Sequence, residues 1–157
     1  MILTTHALIG AALGKNISNP WVIAAIAIPL HFIMDHFRHG EYLNRNSKLK
    51  NTWWKTALDL LGAITITSAI IIFAINYSHN FTLAIAESMA IGMFFSMLPD
   101  LTTVLYWEFH WPFLKKIHDF HAWCHKYPPF SKERQWTFRN ARNDILFSVI
   151  AIIFLIF

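Results

Sequence analysis

The segment His31-Phe32-Ile33-Met34-Asp35-His36-Phe37-Arg38-His39 sets metal-ligand side chains at the end of a strongly apolar run. Read as helix, positions 31, 35 and 39 are spaced i, i+4, i+8. His31, Asp35 and His39 then form one stripe, each about 6 Å further along the axis. Neighbours on the stripe can share an ion. His31 and His39, roughly 12 Å apart along the axis, cannot, so full use of the stripe requires two ions with Asp35 between them. The competing reading is a solvated helix end carrying interfacial histidines. His36 lies about 140° off the stripe and is read as outside it.

A second set lies in Lys116-Ile117-His118-Asp119-Phe120-His121-Ala122-Trp123-Cys124-His125. His121 and His125 are one helical turn apart, a spacing that puts two imidazoles on one metal, and His118 shares their face. The Glu of an HExxH motif is missing, so this is not a zincin helix. Asp59 and Asp100 interrupt apolar stretches. Asp59 reads equally as a ligand or as the i, i+4 partner of Lys55; Asp100 reads equally as a ligand or as the N-cap of a helix restarting after Pro99. The single cysteine, Cys124, excludes a disulfide framework and a multi-cysteine zinc site, which leaves nine histidines and the acids as ligands. A divalent ion held by imidazole and carboxylate, Zn before others, lowers the pKa of bound water toward about 7, and two such ions clamp the oxygens of a phosphoester. Hydrolysis is the chemistry this set favours. Lys115, Lys116, Arg139 and Arg142 could hold an anionic headgroup beside it; topology and lipid contact explain each of the four as well.

These residues need elements to position them, and the composition says which kind. In 157 residues, 55% hydrophobic and only 14% charged, with mean hydropathy +0.40, the chain reads as a single integral membrane domain over 1–157, all-α. The expected architecture is a polytopic helical bundle of about four long spans, a short N-terminal helix and an amphipathic cytoplasmic helix. Residues 1–14 are too short to cross comfortably, and Lys15 follows the run where a signal peptide would carry its charge in front. An apolar run from Trp21 to Met34 leads into the stripe, with Pro29 expected to kink it. Spans follow over 56–77 and 81–106, joined by a turn at Ser78-His79-Asn80, with Trp53, Trp54, Trp107 and Trp111 as interfacial anchors. His79 and His110 read as interfacial, Glu87 as a partly hydrated residue near the opposite end. A helix over 112–126 is bounded by Pro112 and by Pro128-Pro129, and a final apolar helix runs to Phe157.

Of 13 Lys and Arg, five (Arg38, Arg45, Lys48, Lys50, Lys55) lie between the second and third helices and seven (Lys115, Lys116, Lys126, Lys132, Arg134, Arg139, Arg142) between the fourth and last. The positive-inside tendency puts both stretches in the cytoplasm. His31, Asp35, His39, Asp59, Asp100 and Asp144 then fall at one level on the cytoplasmic side, and His6 joins them if the first helix starts inside. The net charge of +4 is explained by these flanks, so nucleic acid is not expected as a partner.

Thr4-Thr5-His6-Ala7-Leu8-Ile9-Gly10, His31-x3-Asp35-x3-His39-Gly40-Glu41, Asp59, Leu98-Pro99-Asp100 and Phe120-His121-x3-His125 together resemble small bacterial membrane-bound metal-dependent hydrolases of the YdjM-like kind, over nearly the whole chain. The resemblance implies a multi-pass inner-membrane hydrolase and carries a metal-ligand role onto His6, His31, Asp35, His39, Asp59, Asp100, His121 and His125. Asp35 and Asp59 are the expected catalytic carboxylates. The His-x3-Asp-x3-His stripe also looks distantly like the metal motif of zinc-dependent phospholipase C and P1-type nucleases. The expected function is metal-dependent hydrolysis of a phosphoester or lipid-like substrate, using one or two divalent ions. A metal-ion or proton-coupled carrier and a non-catalytic metal-stabilised scaffold are the alternatives.

Overall fold

A computed structural model describes residues 1–42, 49–77 and 81–157. Among them lie six α-helices, α1 (Leu3–Asn16), α2 (Pro20–His36), α3 (Leu49–Tyr77), α4 (Leu83–Phe109), α5 (Pro112–Cys124) and α6 (Phe138–Ile156), with a 3-10 turn at Lys132–Arg134. No strand occurs among the described residues, so the all-helical expectation holds. The turn at Ser78-His79-Asn80 and the basic residues Arg45 and Lys48 lie outside the described residues.

The shortest-looking apolar segment is the centre of the molecule. α1 packs against α4 above all, and also against α6, α3 and α2. It can do so because its crossing with α4 is lined by small residues. A Cβ on Gly10 would stand 2.2 Å from the Gly92 carbonyl oxygen, one on Gly14 2.0 Å from that of Ser88, and one on Gly92 2.0 Å from that of Gly10. Gly10-x3-Gly14 thus meets Ser88-x3-Gly92-x3-Ser96, the small-residue packing by which apolar helices approach backbone to backbone. Around this seam Leu8, Ala11 and Ala12 bury against Met89, Ala151 and Leu155.

Among the described residues two helices, not the expected four, are long and apolar enough to cross a membrane: α3 over Lys50–Asn76 and α4. α2 stops at 17 residues, and α6 carries Arg139, Arg142 and Asp144 in its first two turns. α3 buries just 11% of its most apolar window, and Leu58, Leu61, Ile64, Ile72 and Ile75 point outward. A soluble core helix would bury such residues.

Three local departures from the sequence reading matter to the site. α2 ends at His36, with Phe37 extended and its N–H bonded to the Met34 carbonyl, so His39 is not a third residue on the helical stripe. Asn143 donates to the Arg38 carbonyl (2.7 Å) and the Gly40 N–H donates to Asp144 (3.2 Å), which turns the segment back across the start of α6. α4 runs unbroken through Pro99, so Asp100 lies inside a helix and caps none. α5 ends at Cys124 and leaves His125 as its C-cap.

Candidate metal centre

The start of α1, the end of α2, the later half of α4, the end of α5 and the start of α6 meet at one end of the bundle. There Asp35, 1% exposed, is surrounded by imidazoles. Its Oδ2 lies 3.2 Å from His31 Nε2, 2.9 Å from His121 Nε2 and 3.5 Å from His125 Nε2. Its Oδ1 lies 3.2 Å from His6 Nε2 and is ion-paired with the Met1 ammonium. Asp100 faces the same cluster, with Oδ1 3.9 Å from His31 Nε2 and 3.8 Å from His121 Nε2, and Oδ2 3.9 Å from His6 Nε2. The His6 and His31 rings stack at 4.0 Å.

Two groups of these side chains could hold a metal ion: His31, Asp35, Asp100 and His121, and Asp35, His39 and His125, the ligand atoms of each lying within 4.8 Å of one another. Asp35 belongs to both. In the first group His31 Nε2 and His121 Nε2 are 3.2 Å apart, and the distances to the two carboxylates run from 2.9 to 3.9 Å. A tetrahedral ion with bonds near 2.05 Å separates its ligands by roughly 3.3 Å, so the spread brackets what Zn requires.

The outer nitrogens decide what the inner ones can do. His31 Nδ1 donates to the Ser96 carbonyl (2.7 Å), and His39 Nδ1 donates to the Phe37 carbonyl (2.8 Å). Thr103 spends its hydroxyl proton on the Pro99 carbonyl (3.1 Å) and accepts from His121 Nδ1 (2.8 Å). With its proton held on Nδ1, each ring turns a bare Nε2 toward the carboxylates, the tautomer a metal ligand needs. Bare nitrogens and carboxylate oxygens at such distances repel unless cations lie between them, as protons or as a metal ion. Among the described residues, His39 Nε2 and Asp100 Oδ2 are buried with no hydrogen-bond partner. Burial lowers the His125 pKa to about 4 and that of His39 well below its usual value, which keeps both imidazoles neutral at pH 7.

The other expected site residues are used differently. Asp59 binds the N-terminus of α1, accepting from the Leu3 N–H (2.7 Å), the Thr4 N–H (3.0 Å) and the Thr4 hydroxyl (2.5 Å). It is in neither metal group. Asp144, which the sequence reading placed at this level without a ligand role, accepts from the Ile2 N–H (3.1 Å) and, as described, from Gly40. Both carboxylates thereby satisfy donors that a helix N-terminus leaves open. His118 is engaged by Trp107 Nε1 (3.1 Å) and Asp119 (3.2 Å), and His36 is exposed against the Cys124 carbonyl. Lys115, Lys116, Arg139 and Arg142 are all exposed, Lys115 in a pair with Asp119.

A cavity of about 590 Å³ opens beside the cluster, with Asp100, His121 and His125 in its wall. The basic residue that lines it is Arg134, 8% exposed, paired with Glu41 and donating to the Tyr127 carbonyl (3.2 Å). Burial lowers the Arg134 pKa to about 10, which leaves it charged at pH 7. No pattern in the sequence separates Arg134 from the other basic residues of 107–142. Thr103 could have been found, since it sits one turn from Asp100 on the same helix face.

No family model matches the chain, and neither a curated protein nor a solved structure matches it.

Proposed function

We propose that this chain is a membrane-embedded, metal-dependent hydrolase of the YdjM-like kind, acting on a phosphoester or lipid-like substrate at the cytoplasmic side of the inner membrane. The observation that carries this reading is the cluster of inward-facing acceptors, whose three fixed tautomers suit a metal better than a proton network. His31, His121, Asp35 and Asp100 would hold one divalent ion, most simply Zn; Asp35, His39 and His125 would be the ligands for a second, with His6 buttressing Asp35 and the His31 ring. Asp59 anchors α1 and is not part of the set. When bound, such ions supply an acidified water and neutralise phosphoryl charge. Asp100, which lines the cavity, would be placed to take a proton from the attacking water and return it to the leaving oxygen as the ester P–O bond breaks.

The outward-facing apolar side chains of α3 and α4 support membrane embedding, and the basic residues that flank the cluster end support a cytoplasmic orientation. A carrier needs polar groups along the whole path. Among the described residues, Glu87 is exposed and the buried polar side chains far from the cluster are Thr67 and Ser88, which does not favour that alternative. A purely structural metal site is closed, whereas this one adjoins a cavity.

Metal analysis of detergent-purified protein tests the reading. We expect stoichiometric divalent metal in the wild type and its loss in both His31→Ala and Asp35→Ala, together with metal-dependent phosphate release from a phosphoester panel. Stoichiometric metal that survives both substitutions, or none in the wild type, sinks it.

A further inference from the structure

The lining of the cavity beside the metal groups is of two kinds. Its polar part includes Asp100, His121, His125, Arg134 and Glu41. Arg134 is buried and paired with Glu41. A buried guanidinium in a cavity wall is a candidate partner for an oxyanion, and its planar fork matches phosphate. The rest of the lining is largely apolar. Phe94, Met97, Leu98, Leu101 and Val104 run down one face of α4, opposite Leu60 of α3. α3 packs on α1 and lightly on α6, and the cavity lies between it and α4, where Phe94 and Leu101 are 51% and 46% exposed. α3 and α4 are the helices able to cross a membrane, so the slot between them would open onto acyl chains.

We propose that the cavity binds a lipid-derived phosphoester, with its phosphate between Arg134 and the metal groups and its alkyl chain in the slot between α3 and α4. This rests on the hydrolase reading and narrows it to membrane-borne substrates. A sugar phosphate or nucleotide would set hydroxyls against the apolar part of the wall, which disfavours it relative to an alkyl chain.

Alkylphosphonates test this directly, because their C–P bond resists hydrolysis and binding is read without turnover. Butyl-, hexyl- and octylphosphonate are titrated onto metal-loaded protein in nanodiscs, with empty nanodiscs subtracted and bound metal measured in the same samples. Affinity is expected to rise with chain length, by up to roughly fourfold per methylene, the value for a CH2 leaving water. Leu101→Trp, which fills the slot, is expected to abolish that rise, and Arg134→Lys to weaken all three ligands by about tenfold. If metal is retained but butyl- and octylphosphonate bind alike, or neither binds, the lipid inference fails and the hydrolase reading stands. An undiminished rise in Leu101→Trp also overturns the inference. Absence of metal in the wild type fails the hydrolase reading itself. Should either variant lose its metal through misfolding, the wild-type series alone decides.

Discussion

At the residue scale the site turns on Asp35, whose two oxygens meet four imidazoles and an ammonium. For His31, His39 and His121 the tautomer that a metal would need is set further out, by the Ser96 and Phe37 carbonyls and, through Thr103, by that of Pro99. Thr103→Val keeps the volume but removes the hydroxyl that holds His121 Nδ1–H, so metal affinity should fall about 10- to 100-fold while the protein stays folded; competition with a chromophoric chelator would measure it. Unchanged affinity would mean that the hydroxyl does not orient the ring. Asp59 gives the converse case. Because its oxygens cap α1, Asp59→Asn should retain the full complement of metal and lose stability by about 1 kcal/mol, read as a lower unfolding midpoint at unchanged metal content. Loss of metal would return Asp59 to the ligand set.

At the element scale the cluster depends on how closely α1 approaches α4. His6 and Asp100 belong to those two helices, and the Gly10–Gly92 contact leaves no room for a side chain. Gly92→Val should force the helices apart, cost about 1–3 kcal/mol or more, and lower metal occupancy from a distance. Bound metal and thermal unfolding of this variant, measured together, check that coupling; wild-type occupancy would show that the seam does not position the site. The spacing Gly10-x3-Gly14 stands openly in the sequence, but its partner face on α4 does not, because many pairs of small residues could serve. The end of α2 was harder to read. A helix continued to His39 keeps the apolar period, and only the hydrogen bonds from Asn143 and to Asp144 stop it at His36.

At the scale of the molecule, buried charge is collected at one end and apolar surface is spread over the sides. Such a fold keeps repelling acceptors together at a cost that a bound cation removes. Chelation should therefore lower the unfolding midpoint, and Zn should restore it with a saturable dependence on free metal, worth about 2.7 kcal/mol at a hundredfold excess over Kd. A melting curve in detergent that is indifferent to chelator would contradict a metal built into the folded state.

The sequence alone determined the helical class, two of the four expected apolar spans and the residue types of the cluster, because hydropathy, helical spacing and the cost of a charge in an apolar run are all local properties. Six of the eight residues assigned there as ligands lie in the two groups that could hold a metal, and His6 lies against them. Tertiary structure decided the rest. His39 reaches Asp35 through a turned-back chain and not along a helix, Asp59 and Asp144 are spent on backbone donors, and Arg134 replaces the exposed lysines and arginines at the cavity. These outcomes depend on contacts between residues as far apart as Ile2 and Asp144, which are set by helix crossings that no short window of sequence encodes.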